Sequence, residues 1–316
     1  MKLIVMVPCY NEEKTLPLVI KSIPKKISGI DVIETLIVDD GCEDKTVEVA
    51  RKVGVNHIVR HKRNKGLAKS FADGLEACLS LGADIIVNTD GDNQYPQKDI
   101  PKLIKPILDG KADIVIADRQ TRTIQEFSPV KKFLQWIGSW TVKMVSGADI
   151  PDAVSGFRAY SREAAIQMNI VSDFSYVVET IIQAGKKRIP MVSVKVKTNP
   201  KLRESRLFSS IFDHVKKSTS TIIRIYAMYE PLKTFFYIGG LIFLGGILVA
   251  IRFLYFFFIG TAGGHVQSLI LAAVAMIIGF QIILIGLIAD LIAANRKLLE
   301  DLIVRHKKEE TDLQDK

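Results

Sequence analysis

The sequence predicts an α/β fold with a mostly parallel sheet, followed by a C-terminal two-helix transmembrane hairpin. Short β-branched segments alternate with helical patterns over the first half of the chain. Such alternation is typical of βαβ units with helices on both faces of a sheet. Two long uncharged runs follow, at 234–251 and 266–289. Each run is long enough to cross about 30 Å of hydrocarbon as a helix.

The predicted strands share an apolar, β-branched composition and lie at 3–7, 35–38, 57–59, 85–87 and 114–116. The helical patterns between them lie at about 12–27, 44–54, 67–82 and 98–110. Ligands of open α/β sheets bind beyond the carboxyl ends of the strands. The residues that follow each strand are therefore the first candidates for a functional site.

The chain of 316 residues has a formal net charge of +9. Its lysines and arginines are concentrated at 186–224 and 296–308, on either side of the apolar runs. An anionic membrane surface explains that placement better than nucleic acid does. The cysteines form no CxxC pair, which predicts reduced thiols on the cytosolic side and no cysteine zinc site. The apolar segment 3–7 is too short for a signal peptide.

Acidic side chains follow four of the predicted strands: Glu12, Asp39, Asp40, Asp90, Asp92 and Asp118. Around one cleft these carboxylates would repel one another unless cations or hydrogen-bond donors lay among them. The set therefore predicts a shared site for a polyanion and a metal ion.

The segment Asp90-Gly91-Asp92, with Gln94 two residues later, follows the predicted strand 85–87. Carboxylate and amide oxygens at this spacing suit a hard cation such as Mg²⁺ or Mn²⁺. Taken alone, the segment could equally be a polar turn that closes a strand, because Asp and Asn are poor strand residues.

The basic loop 62–69 has a glycine before a predicted helix, where backbone N–H groups and the helix dipole favour an anion. A solvated basic turn is the alternative. The chain has no GxxxxGK[ST] motif, no GxGxxG after a strand and no HExxH. P-loop, dinucleotide-oxidoreductase and zinc-protease functions therefore lose their main support.

Residues 128–147 combine lysines with an aromatic helical face that includes Trp136 and Trp140. Such a helix can lie on a membrane surface, although a core-facing amphipathic helix would have the same pattern. Residues 208–229 form a second basic helical pattern before Pro231.

Domain boundaries are predicted from these changes in hydrophobicity and charge along the chain. We predict an α/β domain at 1–205, an amphipathic juxtamembrane helix at 206–232, spans at about 234–256 and 266–289 within 233–295, and a charged tail at 296–316 that frays after Arg305. Because basic residues flank both spans, the positive-inside rule predicts an integral membrane protein with the α/β domain and both termini in the cytosol.

Five short motifs occur in register: VPCYNEE at 7–13, VDDG at 38–41, NKG at 64–66, DGD at 90–92 and SGFR at 155–158. Over roughly residues 1–230 the chain resembles the family 2 glycosyltransferases with the GT-A fold. The resemblance is strongest to polyprenyl-phosphate glycosyltransferases of the dolichyl-phosphate mannose synthase and undecaprenyl-phosphate glucosyltransferase types.

The resemblance implies a metal-dependent enzyme. It would transfer a hexose, with inversion, from a sugar nucleotide of the UDP-glucose or GDP-mannose class to dolichyl or undecaprenyl phosphate at the cytosolic membrane face. The resemblance also implies Mg²⁺ or Mn²⁺ as cofactor, held by Asp90, Asp92 and Gln94. The catalytic residues it implies are Asp92, Arg119 and Asp152, the last as a base or an orienting residue.

The resemblance implies a nucleotide-sugar site formed by Pro8, Tyr10, Asn11, Glu12, Val38, Asp39, Asp40, Lys69, Asp90, Gly91 and Arg203. It implies acceptor-phosphate contacts from Arg119, Lys131, Lys132, Ser139 and Arg206. Two positions depart from the family pattern. Cys42 replaces the usual serine, and Arg206 replaces a lysine, which substitutes a planar fork for a point charge.

Two other functions remain open. A membrane glycosyltransferase could act on a hydroxyl acceptor to build a polysaccharide or glycolipid, but processive synthases carry QxxRW and the string at 135–140, QWIGSW, lacks the arginine. A non-catalytic tether would be expected to lack the aspartates, which are present. The expected partners are the sugar nucleotide, the polyprenyl phosphate, the bilayer and a second copy through the spans, and not nucleic acid.

Overall fold

The computed structural model describes residues 1–120, 142–143, 146–148, 150–171, 176–200, 220, 230–260 and 266–314. The chain divides into two compact units, Met1–Ile222 with Val304–Lys316, and Ile223–Ile303. The statements that follow concern the described residues only.

The first unit contains a seven-stranded sheet. Its strands are β1 (Lys2–Cys9), β2 (Val32–Asp39), β3 (His57–Arg60), β4 (Ile85–Asn88), β5 (Ile114–Asp118), β6 (Arg158–Ser161) and β7 (Met191–Lys195). The order is β3-β2-β1-β4-β6-β5-β7. Only β6 is antiparallel to its neighbours. The five strands predicted from the sequence are confirmed as β1 to β5.

The sequence pattern missed β6 and β7, and polar residues explain why. Strand β6 begins with an arginine and ends with a serine, yet all four of its residues are buried. In strand β7, Ser193 interrupts the run of apolar residues. Polar side chains can be buried in β6 because they form hydrogen bonds. Hydrophobic periodicity, in contrast, predicts apolar residues at buried positions.

The described helices of this unit are α1 (Leu16–Ser22), α2 (Thr46–Lys52), α3 (Leu67–Ser80), α4 (Ile100–Leu108), α5 (Arg162–Gln167) and α6 (Tyr176–Lys186). Helix α1 is shorter than the predicted 12–27. It ends at Ser22 because Ile23 precedes a proline, which disfavours helical backbone, and Ile23 is extended. Ser161 caps the start of helix α5, and its Oγ accepts a hydrogen bond from Ala164 N.

Helix α3 packs closely on the sheet through Gly74. A Cβ on Gly74 would collide with the side chains of Met6 on β1 and Val38 on β2. Both of those side chains are fully buried. This contact fixes α3, and the loop that precedes it, beside the carboxyl ends of β1 and β2.

Two apolar helices, α7 (Pro231–Phe258) and α8 (Val266–Gln314), follow. Both are long and apolar enough to cross a membrane. The side chains of Leu241, Leu248 and Phe258 are 76%, 68% and 82% exposed. A helix in the core of a soluble protein would bury such side chains, so their exposure fits a lipid environment.

The charged C-terminal region is helical as far as Gln314. The sequence predicts fraying after Arg305, whereas α8 continues to Gln314. Before Arg305, in the same helix, Arg296 and Glu300 form an i,i+4 ion pair at 3.6 Å. Pairs at this spacing support a helix that has left an apolar environment.

Candidate functional site

The acidic strand ends meet at one edge of the sheet. Strand β1 lies between β2 and β4, and Cys9 is in register with Asp39. The backbone N–H of Asp40 donates to Cys9 O at 3.0 Å, and that of Thr89 donates to Met6 O at 3.0 Å. The sheet thus brings the segments after β1, β2 and β4 together, as the sequence predicts.

A cavity of about 530 Å³ opens beyond β1, β2 and β3. Its lining residues are Tyr10, Gly41, Cys42, Glu43, Arg60, His61, Lys62, Arg63 and Asn64. Of the residues predicted to bind the nucleotide, Tyr10 lines this cavity. Val38 lies in the sheet core with a fully buried side chain, so it supports the pocket from beneath.

Asp39 is fully buried at the carboxyl end of β2. Its Oδ1 accepts a hydrogen bond from Cys42 N at 2.8 Å, and its Oδ2 accepts one from Arg60 Nε at 3.0 Å. Burying a carboxylate is costly unless hydrogen-bond donors compensate for the lost water. Asp39 therefore fixes both the turn after β2 and the arginine that lines the cavity.

Asp40 occupies the anion position that the sequence predicts at the start of α3. Its Oδ1 accepts from Lys65 N at 2.8 Å and its Oδ2 accepts from Gly66 N at 2.9 Å. Two backbone amides of this loop are thus already bonded to a carboxylate of the chain itself. The predicted anion site in this loop is an internal one.

Cys42, which replaces the family serine, connects two turns. Its Sγ accepts a hydrogen bond from Asn11 N at 3.1 Å and lies 3.5 Å from Cys9 O. Burial and the neighbouring Asp39 raise the pKa of the Cys42 thiol to about 12. Asn11 has a φ of 57°, and its Oδ1 accepts from Glu43 N at 2.8 Å. Both side chains therefore shape the cavity wall.

Glu12 joins the end of β1 to the segment after β4. The side chain is buried, and its Oε2 accepts from Thr15 Oγ1 at 2.7 Å. A Cβ on Gly91 would lie 3.1 Å from Glu12 Cγ. The glycine between the two aspartates is thus needed for close packing against Glu12.

Asp90 lies directly against Gly156. A Cβ on Gly156 would lie 2.9 Å from Asp90 Oδ1. The Gly156 peptide is held from both sides, because its N–H donates to Tyr95 Oη at 3.0 Å and its carbonyl accepts from Asn88 Nδ2 at 2.8 Å. The SGFR motif therefore supplies a flat, fixed surface for the first aspartate of the DGD segment.

The segment 92–94 is held by a local turn and by a residue that follows β7. Asp92 Oδ1 accepts from Gln94 N at 3.1 Å. Asn199 donates through its N to Gln94 O at 2.8 Å and through its Nδ2 to Asn93 O at 3.0 Å. Asn199 is a positioning residue that the sequence analysis did not identify.

The oxygen donors of this segment fit a divalent cation. Among the described residues no group of three or more His, Cys, Asp or Glu side chains is arranged to hold a metal. A cation at Asp90 and Asp92, with Gln94 as a candidate third ligand, would therefore take its remaining ligands from water and substrate phosphate. Mg²⁺ is usually bound in this way, through one or two carboxylates.

Arg119, just after β5, forms a two-bond pair with Asp152. Its Nε donates to Asp152 Oδ2 at 2.7 Å and its Nη2 donates to Asp152 Oδ1 at 2.9 Å. Burial alone would lower the pKa of Arg119, but Tyr95, Asp152 and Asp90 raise the pKa overall. The sequence predicts Asp152 as a base or an orienting residue. The geometry favours the orienting role, because both of its oxygens bind Arg119.

Arg158 is a buried organiser of the same region. Its guanidinium donates to Ser155 O at 2.8 Å, Ala153 O at 2.9 Å, Val177 O at 2.8 Å and Thr180 Oγ1 at 2.7 Å. It is fully buried. The arginine of the SGFR motif thus fixes the loop 152–158, on which Asp152 and Gly156 lie.

Lys69, predicted to bind the nucleotide, lies on the first turn of α3. Its Nζ is 2.7 Å from Asp73 Oδ1, and its side chain is 55% exposed. Five further predicted residues lie outside the described part of the chain: Lys131, Lys132, Ser139, Arg203 and Arg206. Their roles stay predictions.

The chain is similar in sequence to known proteins. Residues 4–168 match the family described as "Glycosyl transferase family 2". A UDP-N-acetylglucosamine–dolichyl-phosphate N-acetylglucosaminyltransferase of Methanococcus voltae is 29% identical over 218 residues, 61% of this chain and 84% of that protein. A dolichol-phosphate mannosyltransferase of Pyrococcus furiosus is 26% identical over 272 residues, 81% of this chain and 72% of that protein.

Among solved structures, the chain is similar to glucosyl-3-phosphoglycerate synthase of Mycobacterium tuberculosis, crystallised with Mn²⁺, UDP and glucosyl-3-phosphoglycerate. The TM-score is 0.55 at 20% identity, covering 72% of this chain and 78% of that chain. This likeness concerns the fold, and it confirms the predicted GT-A-like architecture with a mostly parallel sheet.

Proposed function

Because the chain belongs to glycosyltransferase family 2, we propose that it transfers a hexose from a sugar nucleotide to a polyprenyl phosphate. The observation that carries the proposal is one sheet edge that combines a nucleotide-sized cavity, the Asp90-Gly91-Asp92 segment and the Arg119–Asp152 pair. The two apolar helices and the names of the relatives support a lipid acceptor.

The donor's nucleoside would occupy the cavity beside Tyr10 and Arg60, with its diphosphate directed toward Asp90 and Asp92. A divalent cation bound by those carboxylates, with Gln94 as a candidate third ligand, would act as a Lewis acid on the leaving diphosphate. Relatives in the solved structures contain Mn²⁺ or Mg²⁺, which supports the same cofactor here.

The acceptor phosphate would supply its own nucleophile. A phosphate monoester has a second pKa of about 6, so its attacking oxygen is already anionic at neutral pH. A strong general base is therefore less necessary than for a hydroxyl acceptor. This agrees with the use of Asp152 as a partner of Arg119. In-line attack on the anomeric carbon would invert its configuration.

The chain's main task would be to hold two anionic phosphates near each other. The Arg119 side chain is 16% exposed and its orientation is fixed by Asp152, and the charge of Asp90 helps to raise its pKa. An arginine fixed in this way can bind phosphate with two hydrogen bonds at no further cost in side-chain entropy. We propose that it binds phosphate during transfer, together with Lys131, Lys132, Ser139, Arg203 and Arg206.

We further propose that α7 and α8 cross the membrane and that both termini lie in the cytosol. Basic residues before the first span and after the second support this orientation. The α/β domain would then bind the lipid phosphate at the level of the lipid headgroups. We propose the domain boundaries that the sequence predicts, with an α/β domain at 1–205.

The test is a transfer assay on the full chain in membranes. Labelled UDP-glucose, UDP-N-acetylglucosamine and GDP-mannose are each supplied with Mg²⁺ or Mn²⁺, and with polyprenyl phosphate or a free-hydroxyl acceptor. We expect one donor to label a lipid that mild acid cleaves, and we expect Asp92→Ala to abolish the labelling while the protein stays folded in the membrane. Equal transfer to hydroxyl acceptors would favour polysaccharide or glycolipid synthesis. Metal-dependent donor binding without transfer would favour a non-catalytic tether.

A further inference from the structure

His61 lies between two carboxylates. Its ring Nδ1 is 2.8 Å from Asp40 Oδ1, and its Nε2 is 3.0 Å from Asp73 Oδ2. Its side chain is 3% exposed. Each ring nitrogen thus contacts one carboxylate, and the buried ring connects the two.

The same Asp40 carboxylate holds both ends of the segment that lines the cavity. At the beginning of the segment it accepts from His61. At the end it accepts from Lys65 N at 2.8 Å and Gly66 N at 2.9 Å. The residues between these anchors, 62–64, all line the cavity.

The backbone after Asp40 packs directly on this segment. Gly41 has a φ of 73°, and a Cβ there would lie 2.6 Å from both Arg63 C and Asn64 N. Little space therefore separates the turn after β2 from the cavity wall. A shift of the Asp40 carboxylate would be transmitted to residues 62–64, because close-packed backbone segments cannot absorb it.

The charges around His61 make it the link between β2 and α3. Asp73 on α3 also pairs with Lys69 at 2.7 Å and with Lys65 at 3.6 Å. Arg60, the residue before His61, pairs with Asp39. Asp73 thus has two lysine partners, and the His61 ring joins it to Asp40. Removing the histidine breaks this connection and leaves Asp73 paired.

We propose that His61 is a positioning residue for the donor pocket, holding Asp40 and through it the cavity-lining segment 62–64. The inference rests on the proposed function only for the identity of the ligand, a nucleoside diphosphate. His61, Asp40 and residues 62–64 are not among the residues proposed to bind the metal.

Substituting asparagine or glutamine for His61 tests its two hydrogen bonds separately. The amide nitrogen of Asn lies near the position of Nδ1, and that of Gln near Nε2, so H61N can keep the bond to Asp40 and H61Q the bond to Asp73. H57Q is a matched control, because His57 lies on β3 and binds Glu34 at 2.8 Å without lining the cavity.

The experiment measures hydrogen–deuterium exchange of residues 61–66 in the full detergent-solubilised chain, together with the affinities for UDP and GDP. For H61Q we expect at least about tenfold faster exchange and about tenfold weaker binding of the preferred nucleotide, since the fixed pocket is lost. For H61N and H57Q we expect both quantities within about threefold of wild type. In the transfer assay, H61Q should raise the donor KM more than it lowers kcat.

Equal effects of H61N and H61Q, or wild-type exchange in H61Q, would overturn the inference. If H61Q fails to fold, H61N decides, because wild-type exchange in that variant supports the Asp40 bond and faster exchange contradicts it. If wild type binds neither nucleotide, the proposed function fails, while the exchange rates still decide the role of His61.

Discussion

The carboxylate of Asp152 fixes the guanidinium of Arg119 through two hydrogen bonds, from Nε at 2.7 Å and from Nη2 at 2.9 Å. The backbone N–H of Arg119 donates to the same carboxylate at 3.2 Å. Asp152 is 1% exposed. Three bonds from one residue to a buried carboxylate leave the arginine few alternative orientations. We therefore expect both partners to act as one unit.

Arg119→Lys and Asp152→Asn test that unit. Lysine cannot form the two-bond pair, so we expect kcat/KM to fall by about 100-fold or more in Arg119→Lys. Asparagine keeps the volume of Asp152 but removes the charge that orients Arg119, and we expect a similar loss. Steady-state kinetics of lipid labelling measure both effects. In the orienting role, the acid limb of the pH–rate profile persists in Asp152→Asn. Disappearance of that limb would instead identify Asp152 as the base.

Gly156→Ala tests the packing of Asp90. The added methyl group would lie 2.9 Å from Asp90 Oδ1, which is closer than carbon and oxygen normally approach. The carboxylate must move, so we expect the Mg²⁺ or Mn²⁺ concentration for half-maximal activity to rise by about tenfold, a shift typical of a disturbed ligand. Saturating metal should restore most of kcat. An unchanged metal dependence would show that Asp90 does not bind the cation.

Glycines at the contact between α7 and α8 allow a controlled test of the hairpin. A Cβ on Gly239 would lie 2.6 Å from Gly279 O, whereas a Cβ on Gly240 would have nothing within 4 Å. Small residues let apolar helices approach closely in a bilayer. We expect Gly239→Leu to lower the thermal midpoint in detergent by several degrees, corresponding to about 1–3 kcal/mol of overpacking. Gly240→Leu should leave the midpoint unchanged. Equal midpoints for both variants would contradict this contact.

The Cys42 thiol should react slowly although it lines the cavity. With a pKa raised to about 12, its thiolate fraction at pH 8 is roughly 10⁻⁴, and the thiolate is the reactive form. Alkylation by iodoacetamide, followed by mass spectrometry, should therefore be far slower than for a free cysteine. The rate should rise about tenfold per pH unit up to that pKa. Rapid labelling at pH 7 would show that the hydrogen bonds around Sγ do not persist in solution.

Much of the site could be predicted because strand ends are local features. Periodicity identified β1 to β5. The aspartates that follow β2 and β4 lie at the same edge of the sheet, on either side of β1, because parallel strands have their carboxyl ends at one edge. The same reasoning did not identify Asn199, which holds residues 93 and 94 across a long sequence separation. Neither the residue type of Asn199 nor the sequence around it indicates that it belongs to the site.

The sequence by itself determined the family, the α/β alternation, the oxygen-rich segment after β4 and the two apolar helices, because each depends on composition or on short spacings. The tertiary structure alone decided which charges pair. Asp40 binds the amides of Lys65 and Gly66, Asp152 binds Arg119, and His61 connects two carboxylates. Such pairs join loops that are distant in sequence, and a buried carboxylate takes whichever donors packing brings within reach. Asp40, which the sequence predicts as a ligand contact, therefore also holds a loop of the site in place.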